Sequence, residues 1–116
     1  MASNFKKELC LICTILDNES HQVIDSYKFT KRVDYPFEFF PGLMVKDNSM
    51  VATKDCTPVK KVDRVSADLD RKKVTAFLEI ERFYSDEIDG KRLRRWAVKN
   101  KWELKVLKEG EIWPKN

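Results

Sequence analysis

The run Leu9-Cys10-Leu11-Ile12-Cys13-Thr14-Ile15-Leu16 limits what this chain can fold into more than any other feature. It has eight residues, no charge and one hydroxyl, and the turn cluster Asp17-Asn18-Glu19-Ser20 follows it. Alternate side chains of a strand point to opposite faces. A strand that is apolar at nearly every position must therefore be covered on both faces, which places it inside a sheet. Eight residues also fall far short of the roughly 20 that a helix needs to span a bilayer. Lys6 and Lys7 precede the run, yet Glu8 interrupts that flank and no small-x-small cleavage pattern follows. Neither a signal peptide nor a membrane anchor is expected.

The rest of the chain supplies partners for such a strand. Residues 22–29 place Val23, Tyr27 and Phe29 on one face, and Asp25 breaks the row, as near an edge or a bulge. This makes a first hairpin with the apolar run. Pro41-Gly42 is a turn signal before a short strand at Leu43-Met44-Val45. Residues 46–57 are polar and read as a loop. A second hairpin follows, with residues 58–65 going out, a turn at residues 68–72 and residues 74–83 returning. Valines at 59, 62 and 65, three apart rather than two, predict a bulge or strong twist in its first arm.

Asp89 suits the N-cap of a helix through Lys99, with Leu93, Trp96 and Ala97 on its apolar side. The pair Asp89-Gly90 also fits a hairpin turn, and the helix is the reading preferred here. Residues 102–107 alternate as a final strand. The sum is an α+β protein: a small, strongly bent antiparallel sheet or a partly open, SH3-like barrel with one C-terminal helix. One globular domain is expected over residues 8–113, with 1–7 as a flexible N-terminus. At 116 residues, 42% of them hydrophobic, the chain is long enough to fold on its own core.

Few residues invite catalysis. Cys10 and Cys13 form C-x-x-C inside a strand, where they point to opposite faces, and the third cysteine, Cys56, leaves an odd count. No second ligand pair completes a zinc site. Half-buried free thiols and a cytoplasmic, reducing setting are expected. The single histidine, His21, follows Ser20 in a polar turn and reads as an exposed turn residue, and nothing near Cys56 in sequence supplies a base. Glu79 and Glu81 share a strand face with Phe77 and Phe83 but read as surface carboxylates. Asp68-x-Asp70 lacks the remaining parts of a calcium loop, and the three glycines are too scattered to cradle a phosphate. The expectation is a non-catalytic binding or accessory module without cofactor or metal.

Two surfaces are candidates for binding. Tyr35-Pro36-Phe37-Glu38-Phe39-Phe40 packs four aromatics beside two prolines. Tyr35, Phe37 and Phe40, with a nearby sheet edge, form the preferred surface for an unidentified protein partner, since aromatics dominate interface hot spots. The alternative partner is nucleic acid. Residues 1–57 carry seven basic and eight acidic side chains, whereas 58–116 carry sixteen and eleven. The excess gathers at residues 91–101, where six of eleven positions are basic and none is acidic. On a helix Arg92, Arg95 and Lys99 share one side, as a row for phosphate contacts.

Overall fold

The apolar run forms the heart of β1 (Lys6–Leu16), which begins at Lys6, before the apolar residues. The computed structural model describes residues 5–34, 36, 38–53 and 56–108. After β1 come β2 (Val23–Arg32), β3 (Met44–Lys46), β4 (Val59–Asp68), β5 (Lys73–Leu78), β6 (Glu81–Tyr84), α1 (Gly90–Lys99) and β7 (Glu103–Leu107). A single 3-10 turn, Asn48–Met50, interrupts the polar loop.

The strands form one sheet in the order β3-β4-β5-β1-β2-β7, with β6 also paired to β1. Both expected hairpins are present, β1 with β2 and β4 with β5, each antiparallel. The valine spacing marks a real irregularity, a register shift between Val62 and Arg64. A second shift, where Ile15 and Leu16 face Asp25 and Val23, lies beside the residue that broke the apolar row.

The expected all-antiparallel sheet is corrected. β5 runs parallel to the first half of β1, from Lys6↔Lys73 to Cys10↔Phe77, and β6 runs parallel to the second half. The return strand expected over residues 74–83 is thereby split. At the break Glu79 turns to β4: its backbone N–H donates to the Lys61 carbonyl (3.1 Å) and its carboxylate accepts the Lys61 N–H (2.8 Å). The sheet is mixed and open, and no pairing among the described residues closes it into an SH3-like barrel. β3 and β7 end the strand order, and β6 is likewise paired on one side only.

The main core lies on one face, around Leu9, Leu11, Cys13 and Ile15 of β1, Tyr27 and Phe29 of β2 and Leu78 of β5. A smaller cluster of Cys10, Ile12 and Phe77 occupies the other face. Both faces of β1 are therefore buried, so Cys10 and Cys13 are fully buried rather than half-buried.

α1 seats on the main core as its pattern predicts. Asp89 caps it, its carboxylate accepting the Arg92 N–H (2.9 Å), so Asp89-Gly90 starts a helix and not a hairpin. Gly90 lies so close to the sheet that a Cβ there would run into the Tyr27 hydroxyl. Leu93, Trp96 and Ala97 are buried. The Trp96 ring meets Phe29 edge-on at 5.0 Å and stacks on Trp102 at 6.0 Å. Both tryptophans are thus anchors of the fold.

Candidate functional site

Seating the apolar side of α1 leaves Arg92, Arg95 and Lys99 in one row on its accessible side. The row borders a hollow of about 430 Å³, walled opposite by Val51 and Ala52 and floored by Trp96 and Asn100. No acidic side chain lies among the described residues that line it. Three charges spaced along two helical turns span about 10 Å, enough for more than one phosphate of a nucleic-acid strand.

The groups around the hollow are held in place. Arg92 Nη1 donates to the Glu87 carbonyl (2.9 Å) and Asn100 Nδ2 donates to the Trp96 carbonyl (2.9 Å). Arg95 and Lys99 make no ion pair among the described residues. The Trp96 indole N–H is buried and has no acceptor among the described residues, a state that costs about 1–3 kcal/mol when uncompensated. The wall is fixed from behind. Trp102 Nε1 donates to the Ser49 carbonyl (2.9 Å), and Asp47 caps the 3-10 turn through the Ser49 N–H (2.9 Å). Desolvation pushes the Asp47 carboxyl up. Hydrogen bonds from Ser49 and the nearby Lys31 outweigh it and leave the carboxyl below its ordinary range. Val51 and Ala52 were not singled out in the sequence, because they lie far from α1 along the chain and only tertiary packing brings them to it.

The aromatic strip divides. Tyr35 and Phe37 lie outside the described residues. Phe39 is buried in the core, whereas Phe40 is 54% exposed. Phe40 opens the turn made by Pro41-Gly42, where Gly42 has φ +93° and the Leu43 N–H donates to the Phe40 carbonyl (3.1 Å). Met44 of the edge strand β3 is 57% exposed. A hollow of about 250 Å³ between Phe39, Leu43, Met44 and Val33 lies alongside.

The residues considered for catalysis do not assemble. His21 is exposed in the β1–β2 turn against Tyr84, and Cys56 contacts Thr53. Glu79 is committed to Lys61. Glu81 turns to the main-core face, where it forms a largely buried ion pair with Lys60. Glu79 and Glu81 therefore never share the face expected of one continuous strand. Among the described residues no group of three or more potential metal ligands occurs, and no helix is long and apolar enough to cross a membrane. Compared with protein-family models, curated proteins and solved structures, the chain finds no match in any of the three.

Proposed function

We propose that the protein is a non-catalytic binding module that holds the phosphate backbone of a nucleic acid on the basic side of α1. The observation that carries this reading is the acid-free row of Arg92, Arg95 and Lys99 along a shallow hollow. A surface lined by one sign of charge attracts the opposite one, and a guanidinium offers a planar fork to phosphate oxygens. Trp96 and Trp102 are buried, so stacking on bases is not on offer at this hollow. The reading is therefore of backbone binding without sequence preference.

The test is fluorescence anisotropy with labelled mixed-sequence DNA and RNA of about 20 nucleotides at low and moderate salt. The affinity should fall with salt, and Arg92→Glu with Arg95→Glu should weaken it at least about tenfold for every sequence alike. Absence of binding at micromolar protein in low salt would remove the reading, as would binding indifferent to the double charge reversal.

The exposed pair Phe40 and Met44 beside the unpaired edge of β3 supports a second reading, a protein partner that adds a strand there. Pull-downs should then lose their partner on Phe37→Ser with Phe40→Ser while thermal stability is kept. A capture profile unchanged by the pair sinks it.

A further inference from the structure

We propose that a second basic hollow continues the α1 hollow, so that the two form one track for a nucleic-acid backbone rather than a seat for a single phosphate. This rests on the reading of α1 as a phosphate-binding surface. The second hollow, about 410 Å³, lies at the pole of the sheet where β1 and β5 begin and β2 ends. Lys6, Lys7, Lys31, Arg32, Lys73 and Lys101 line it.

Its two carboxylates do not cancel this charge. Glu8 is taken up by Lys73 (3.2 Å) and by the Thr75 hydroxyl (3.1 Å), and Glu103 is exposed at the rim. Lys31 is held by Asp47 (3.6 Å) and Ser49 (2.9 Å), and Lys7 lies 6.0 Å from the Phe39 ring. Lys6, Arg32 and Lys101 are exposed and make no ion pair among the described residues. They are the cations with most freedom to meet a ligand.

The two hollows meet at the end of α1. Lys99 and Asn100 line the first, and the next residue, Lys101, lines the second. Lys31 of the second hollow has its Nζ 5.7 Å from the ring of Trp102, the residue after Lys101. A chain of phosphates leaving Lys99 reaches Lys101 within two residues' length, at most about 7 Å.

Lys101 carries an independent mark. The Trp102 N–H donates to the Ala97 carbonyl (2.8 Å) and the Lys101 N–H to the Val98 carbonyl (3.3 Å). That pair of bonds is the Schellman ending of a helix, whose left-handed residue is most often glycine. Here it is a lysine at φ +63°. His21 and Lys72 adopt the same left-handed backbone, and of the three Lys101 is the one that lines a hollow, next to the residue that ends the other.

The experiment compares four full-length proteins: the wild type, Arg92→Glu with Arg95→Glu, Lys6→Glu with Arg32→Glu, and Lys101→Gly. Each is titrated into a labelled mixed duplex of about 20 base pairs over a range of salt. The pole pair should weaken binding about tenfold and flatten the slope of log K against log salt by about one to two. Lys101→Gly should raise the melting temperature and yet weaken binding several-fold, a combination that misfolding cannot produce. If the α1 pair abolishes binding while the pole pair and Lys101→Gly leave affinity and slope unchanged, the track is overturned and the α1 reading stands. If the wild type ignores the duplex, the track falls, and if it ignores the DNA and RNA strands as well, both fall. Sedimentation with anionic phospholipid vesicles in place of duplex binding would likewise overturn the track and assign the basic surface to a membrane.

Discussion

Burial decides what Cys10 and Cys13 can do. Desolvation pushes the Cys10 thiol up to about 11 and the Cys13 thiol well above its ordinary value. Only the thiolate is nucleophilic, so both are inert at pH 8, whereas Cys56 is half-exposed. A chromogenic thiol reagent should label Cys56 fast in the native protein and the other two only through opening. Denaturant should make all three equal, and Cys56→Ser should remove the fast phase. Two fast native thiols would show that β1 is not central. The same shift has a sign for stability. A thiol whose folded pKa is raised contributes fully below its unfolded value, about 8.5. That contribution is lost as the pH climbs towards the folded value.

At the scale of the element, α1 shows capping and packing dividing the work. Its first turn has no acidic residue and its surface is crowded with like charges, so local preference alone would not hold it. Asp89 supplies one hydrogen bond to the free end, and Asp89→Ala should cost about 1 kcal/mol in urea unfolding. Leu93 is wholly buried, and Leu93→Ala should cost about 3 kcal/mol through lost burial and the cavity left behind. Equal costs would contradict the seating of α1 on the main core. The same amphipathic division leaves the arginine row accessible, so the feature that docks the helix also exposes its charge.

Across the whole molecule, stability should follow distance from β1. That strand is paired on both sides and buried on both faces, while β3 and β7 are each paired on one side only. Native-state hydrogen exchange should find the slowest amides in residues 10–15, opening only with global unfolding. The amides of Met44–Lys46 and Glu103–Leu107 should exchange through smaller openings. Protection in β7 equal to that in β1 would require a cover on that edge. The two hollows lie around the Trp102 end of the molecule, where β2, α1 and the 3-10 turn meet, so a ligand there should protect amides of Thr30–Arg32 and of Lys99–Lys101 together.

Several parts of this arrangement are written in neighbouring residues. The two-faced apolar run made β1 central, the valine spacing placed the irregularity in β4, and Asp89 with Leu93, Trp96 and Ala97 specified α1 and the side it presents. Each signal lies within a few residues of the structure it specifies, where backbone preference and side-chain period act. The parallel pairing of β1 with β5 and β6 has no such signal, because it joins segments some sixty-seven residues apart in register. The division of the aromatic strip into a buried Phe39 and an exposed Phe40 follows the alternation of neighbouring residues. The pole hollow has no such local signal. Its basic residues, Lys6 and Lys7, Lys31 and Arg32, Lys73 and Lys101, stand at or beside strand ends in four separate segments. Only strand order and register gather the charges of distant segments around one concavity, because a sheet brings residues together by pairing and not by proximity along the chain.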